Sequence, residues 1–427
     1  MKRALRDAII FIICFMFIFT ILDRKTFEKP GTTEVWDYIQ DTDREPIDIL
    51  FMGNSHAYCS VNPVIINQCM DLNTMILGAG SQPMDQVYEN MKVLLHYTRP
   101  KVIVLESYAL AATTELVYGR RKEGLLYSNF DGIHNPVYKL GAIVHSIKWH
   151  DKWPEAYSQV FRPNYTWTRF RSKNTDTGNS EEENKYILGF RPQHNIVKNV
   201  KEGPDVVEKK LIELHELGEP LRKPAAKDAL REFLDLTAKE KIPVYIFMSP
   251  ILDYDNEAPK IAAVMDDIAQ SDPAVCGYIN FSEQMTSIGI ESDDFSDLVH
   301  LNREGANKFT IRLMDWLSGQ LGIPYDLSKA TGIGEESFQE LPDGRYRYTV
   351  SLLDNTLIKF ITRDENGFIT SETEFSDVNY IDMPRISEGN SLSYVIRAKR
   401  EIPGRSYPFD KIEYSFMHDK GVDPDAG

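Results

Sequence analysis

The chain has 427 residues, 42% hydrophobic and 26% charged, a composition that folds and a length that exceeds one ordinary domain. A formal charge of −16 leaves no basic footprint for a phosphate backbone, which argues against a nucleic-acid partner. Four cysteines (Cys14, Cys59, Cys69, Cys276) show neither metal-ligand spacing nor the density of a disulfide scaffold. They read as free thiols, with a Cys59–Cys69 or Cys59–Cys276 bridge as the alternative.

Ala8 to Leu22 carries no charge and follows Lys2, Arg3 and Arg6. With Ala4 and Leu5 it approaches the ~20 residues of a membrane span. Its exit, Leu22-Asp23-Arg24-Lys25, lacks a small-x-small cleavage site. The expectation is an uncleaved signal anchor over residues 1–30, in a single-pass protein of the cell membrane. The leading basic residues place the main body outside the cytoplasm, although Arg24, Lys25 and Lys29 pull the other way.

From Pro46 short apolar runs alternate with helical patterns. Ile47–Met52, Asn73–Leu77, Val102–Leu105, Val244–Met248 and Tyr278–Phe281 read as buried strands. Pro63–Met70, Met84–Tyr97, Ala225–Lys241, Pro259–Gln270 and Glu304–Leu317 read as helices. Alternation of this kind predicts an α/β domain, residues 31–325, with a parallel sheet covered on both faces. Residues 111–217 interrupt it as an irregular aromatic insert with Trp149, Trp153, Trp167 and a polar tract, Ser172 to Lys185. Trp149 and Trp153 suit either a saccharide face or, four apart, the core side of one helix. From about residue 326 the pattern turns to period two (Tyr346–Val350, Leu357–Phe360, Ser391–Ile396), which predicts a small all-β domain over 326–427.

Two segments carry chemistry. Ser55 stands in Gly53-Asn54-Ser55-His56 directly after the first strand, where a strand-to-helix turn exposes a hydroxyl and a helix start supplies N–H donors. Capping of that helix is the competing reading. Asp297-Leu298-Val299-His300 precedes the last helix, and an Asp three residues before a His can hold its Nδ1–H and leave the other ring nitrogen to take a serine proton. In a parallel sheet, sites gather beyond the carboxyl ends of the strands, which puts both segments on one edge.

Together with the glycine-rich turn Gly78-Ala79-Gly80-Ser81-Gln82-Pro83, these motifs resemble the SGNH/GDSL hydrolase superfamily over roughly Pro46 to Leu321. The nearest branch is the membrane-anchored bacterial one, which includes lipoteichoic-acid D-alanylation and exopolysaccharide O-acetylation proteins. The resemblance implies a flavodoxin-like three-layer α/β/α domain. It also implies Ser55 as nucleophile, His300 as base, Asp297 as its orienting partner, and an oxyanion hole from the N–H groups of Ser55, Gly80 and Ser81. His56, Gln82, Ser107 and Tyr108 are the neighbouring candidates for substrate contact.

There are two departures from the pattern. Asn54 replaces a common Asp, and Glu106-Ser107-Tyr108 stands where an oxyanion Asn is expected, so either Gln82 or Ser107 substitutes, or catalysis is slow and specialised, or it has been lost. The implied substrate is an acylated carbohydrate polymer, with a multi-span membrane protein exporting the acyl group as a possible partner. The alternative is a degenerate scaffold or polysaccharide-binding protein. No cofactor is expected: there is no phosphate-binding glycine loop, no H-E-x-x-H, and His134, His145, His150 and His194 lack ligand spacing.

Overall fold

The computed structural model describes residues 6–7, 32–114, 123–162, 186–198, 200–254, 256–387, 389–400 and 413–416. The apolar run 8–22, Trp167 and the tract 172–185 lie outside these residues. Among the described residues no helix is long and apolar enough to cross a membrane.

After helix α1 (Thr32–Gln40) the chain enters a five-stranded parallel sheet with order β2-β1-β3-β4-β5. Its strands are β1 (Ile49–Gly53), β2 (Thr74–Gly78), β3 (Val102–Glu106), β4 (Val244–Met248) and β5 (Val275–Asn280). β1 and β2 are buried at every residue, as short continuous apolar runs require when both faces are covered. Between the strands come α2 (Ser55–Ser60), α3 (Pro63–Met70), α4 (Met84–Leu94), α5 (Glu123–Ser128), α6 (Pro136–Ser146), α7 (Trp153–Tyr157), α8 (Pro204–Glu216), α9 (Ala225–Glu240) and α10 (Ala258–Ser271). The last helix, α11 (Arg303–Leu321), buries Phe309, Leu313, Met314 and Leu317 on one stripe and packs on α2 and α3. α4 packs on α9 and α6, and α8 packs on α10.

Three expectations shift. The fifth strand starts at Val275, three residues before the predicted run, because this edge strand is only half-buried and includes Cys276 and Gly277. The region read as an irregular insert contains four helices among its described residues, α5 to α8; the longest, α8, has a buried stripe of only Val207 and Leu211. Trp149 and Trp153 do not share a helix. A 3₁₀ turn (His150–Lys152) separates them, and both rings pack against the main core, with Trp153 Nε1 donating to the Ile147 carbonyl at 2.7 Å.

Residues 186–197 return from the insert along the free edge of β2. The Leu188 carbonyl accepts from Ile76 N (2.9 Å), and Gly189, at φ +88°, lies so close that a Cβ would meet the Ile76 carbonyl oxygen at 2.1 Å. Farther on, Arg191 N donates to the Tyr58 carbonyl (2.8 Å) and Val197 N to that of Phe295 (2.8 Å).

The remaining strands are antiparallel. β6 (Ile333–Glu340), β7 (Tyr346–Leu352) and β10 (Tyr380–Met383) form one sheet; β8 (Thr356–Arg363), β9 (Ile369–Glu372), β11 (Ser391–Ala398) and β12 (Glu413–Ser415) form the other. Their core of Tyr348, Val350, Ile358, Phe360, Leu392, Tyr394 and Ile396 takes in Val64 and Ile187 from the α/β part. Cys59 and Cys69 are buried and Cys276 exposed, all three as free thiols; Cys14 lies outside the described residues.

Candidate active site

The serine side is built from strand ends. Gly53 closes β1 at φ +150°, and a Cβ there would sit 3.0 Å from Glu106 Cβ and 3.2 Å from Ala57 Cβ, so both conformation and space call for glycine. Its register partner Gly78 ends β2, and a Cβ on it would lie 3.1 Å from the Gly53 carbonyl oxygen. Asn54 then caps α2: its side-chain oxygen accepts from His56 N at 2.9 Å, and its carbonyl from Ala57 N at 3.1 Å. Asn and Asp serve this role equally, which accounts physically for Asn54. Ser55 is the first helical residue, half-buried, and its N–H has no intrahelical acceptor.

The histidine side is a tight turn. Phe295 and Leu301, both fully buried, pair antiparallel across it. Ser296 N donates to the His300 carbonyl at 2.9 Å, and Asn302 N to that of Asp294 at 2.9 Å. Asp297 Oδ1 accepts from Val299 N (2.8 Å) and His300 N (2.9 Å), so the carboxylate shapes the turn that carries its own partner.

These two constructions bring three side chains together. His300 Nδ1 lies 2.9 Å from Asp297 Oδ2 and 3.1 Å from Oδ1, and His300 Nε2 lies 2.7 Å from Ser55 Oγ. The carboxylate fixes the proton on Nδ1 and leaves Nε2 to accept from the hydroxyl. Partial burial pushes the Asp297 carboxyl up. The His300 hydrogen bond and charge and the two backbone N–H groups outweigh it and hold the group below its ordinary value.

Gly80 and Ser81 stand on the turn after β2, closed by Gln82 N to the Ala79 carbonyl (3.2 Å); Ser81 is left-handed at φ +53°. Neither of their N–H groups finds an acceptor among the described residues. His56 (4% exposed), Gln82 (1%) and Ser107 (1%) are buried, so they form the floor and not the surface of the site. The His56 ring stacks on Tyr108 at 3.9 Å and lies 5.3 Å from the His300 ring. Tyr108, half-buried, has its hydroxyl pKa pushed up by desolvation and by the charges of Asp253, Glu106 and Glu257.

Two groups escaped the sequence reading. Glu106 ends β3 fully buried; Oε2 accepts from Tyr108 N (2.9 Å), and Oε1 from Ser249 N and Oγ (both 3.3 Å). Burial pushes its carboxyl up to about 8, so it is protonated at neutral pH and ties the ends of β3 and β4 together beneath the serine turn. A glutamate ending the run Val-Ile-Val-Leu was its only sequence signal.

The second is Arg303, the first residue of α11, whose N–H donates to the Gln193 carbonyl at 2.9 Å. Its guanidinium, almost fully buried, pairs with Glu336 of β6 and sits 5.2 Å from the ring centres of both Tyr394 and Tyr414. Tyr394 Oη also donates to Glu336. The β region thus clasps the chain three residues beyond His300. His194 lies beside this clasp, its imidazole held down at about 3 by burial and by the charges of Arg303 and Arg191.

Among the described residues, no cluster of His, Cys, Asp and Glu could hold a metal ion. No model of a known protein family matches the chain, and no curated protein matches it either.

Proposed function

We propose that the chain is a serine esterase or O-acyltransferase of the SGNH/GDSL type, on a flavodoxin-like α/β/α domain, tethered to the cell membrane by residues 1–30 with its body outside the cytoplasm. The observation that carries this reading is the continuous hydrogen-bonded line Ser55 Oγ–His300 Nε2, His300 Nδ1–Asp297. The strand order β2-β1-β3-β4-β5 supports the fold assignment.

Ser55 Oγ attacks the acyl carbonyl carbon as its proton passes to His300 Nε2. The tetrahedral oxyanion faces the N–H groups of Ser55, Gly80 and Ser81. Collapse breaks the bond to the alcohol oxygen, which takes the proton from His300 and leaves the acyl group on Ser55. Water or a sugar hydroxyl then reverses the sequence. The proposed substrates are acetyl or similar small acyl esters of cell-wall or secreted polysaccharide, with a multi-span membrane protein as the proposed acyl donor partner.

A fluorophosphonate probe should label Ser55 in the full-length protein. Ser55→Ala should lower turnover of p-nitrophenyl acetate by roughly 10⁵-fold or more. A Ser55→Ala protein as active as its parent would falsify the assignment.

A second reading, a polysaccharide-binding scaffold with a degenerate site, draws on Glu106, which occupies the position of the expected oxyanion donor but is buried away from the surface. It requires that the probe leave Ser55 unmodified while saccharide binding persists.

A further inference from the structure

Helix α6 is amphipathic with an uncovered side. Lys139, Ala142, Ile143 and Ser146 face inward, and Tyr138 stacks on His96 of the chain following α4 at 4.0 Å. The opposite stripe, spaced i, i+3, i+7, is Val137, Leu140 and Val144, exposed by 72%, 46% and 38%. Apolar side chains aligned this way on an exposed face mark a contact with something apolar.

What covers them is indicated by position and charge. The start of α6 is fastened to α1, the first described helix after the N-terminal apolar run. Gln40 Nε2 donates to the Gly132 carbonyl (3.0 Å), and His134 N donates to Gln40 Oε1 (2.8 Å). His134 Nε2 meets Asp37 at 2.7 Å, and Gly132 lies so tightly on Trp36 that a Cβ would fall 2.4 Å from its ring. Residues 23–31 alone separate the apolar run from α1, a reach of at most about 30 Å. Acidic residues number 64 in this chain, yet none occurs from Gly132 to His150. Lys148, two residues beyond α6, is exposed, whereas Lys139 is turned inward toward Asp131. A helix with no carboxylate of its own, an apolar stripe and a lysine just past its end suits an anionic lipid surface better than a basic protein partner; the nearby Asp37 and Glu89 carboxylates face His134 and His145.

We infer that α6 lies on the bilayer as an interfacial helix, a second membrane contact that fixes how the body sits on the membrane. Three side chains hold lipid weakly on their own, but beside an anchor the contact is intramolecular and needs little intrinsic affinity. The inference rests on the anchorage proposed above and is independent of the serine chemistry.

The test uses the full-length chain with Cys14→Ala and Cys276→Ser, labelled with an environment-sensitive fluorophore at Leu140→Cys or, as control, at the exposed Glu219→Cys. The protein is reconstituted in phosphatidylcholine–phosphatidylglycerol vesicles containing nitroxide lipid. Quenching at position 140 should exceed that at 219 by roughly twofold or more, and should fall when phosphatidylglycerol is omitted or Val137→Glu is added. A chain that fails to sediment with vesicles overturns the anchor and this contact together. One that sediments with its position-140 dye quenched no more than the control overturns the contact alone. So does a blue-shifted dye indifferent to nitroxide lipid, which would mean a second copy or the chain's own residues cover the stripe.

Discussion

Ser55 and His300 meet within hydrogen-bonding distance but are held there by different means. The serine turn grows from the ends of two fully buried strands, with glycines at their paired termini and Glu106 beneath. The histidine turn stands outside the sheet: the Asp297 side chain is 56% exposed, and order comes from local hydrogen bonds and from the Arg303 clasp three residues on. Chemistry and stability should therefore separate on the histidine side and coincide on the serine side.

The largest effect tests the first half of that contrast. Asp297→Asn should lower turnover by about 10⁴-fold through loss of the correct imidazole tautomer. Because Asn keeps a side-chain oxygen to accept from Val299 N and His300 N, the unfolding midpoint in urea should hardly move; a large fall in that midpoint would show that the negative charge itself serves the fold.

Next comes the clasp. Arg303→Met leaves the Glu336 carboxyl buried without its cation, which should cost about 3–5 kcal/mol in chemical denaturation. Adding Glu336→Leu should recover much of that loss. A single variant as stable as the parent would remove the clasp from the account.

Glu106 gives a pH signature on the serine side. Its carboxyl titrates near 8 in the folded protein and near its ordinary value when unfolded. Between those limits the unfolded chain gives up a proton that the folded one keeps, so the contribution to stability falls as pH rises through the window. Glu106→Gln should flatten that slope and make the variant relatively more stable by about 2–4 kcal/mol at pH 9. Parallel stability–pH curves for the two proteins would contradict the burial argument.

The smallest of the four is Gly53→Ala. The forced φ and the crowding against Glu106 should cost about 1–3 kcal/mol and reduce activity with it, read by thermal melts alongside turnover. Unchanged activity would mean that the serine turn adapts more freely than its packing implies.

The two sides also differed in how readable they were. Val102–Leu105 and Val244–Met248 announce buried strands because a strand covered on both faces is a continuous apolar run. Ser55 and the Asp297–His300 spacing follow from local chemistry. Glu336 is invisible as Arg303's partner because 33 positions separate them and nothing local encodes the pairing. The β9 strand is exposed at every residue and so carries no alternation to detect. Val275–Gly277 escaped because an edge strand needs less apolar surface. The role of Glu106 depends on Ser249, which arrives only through the pairing of β3 with β4.

The hydrogen bond between Ser55 and His300 closes a loop of 245 positions. For a flexible chain such closure has an entropic cost of about 5 kcal/mol, several times what one neutral hydrogen bond returns in water. The Ser55–His300 contact is therefore a passenger of the architecture and contributes almost nothing to holding it. Deleting the hydroxyl should leave the architecture standing, because the glycines and Glu106 and not the Ser55 side chain hold the serine turn, so a Ser55→Ala protein can be compared directly with its parent.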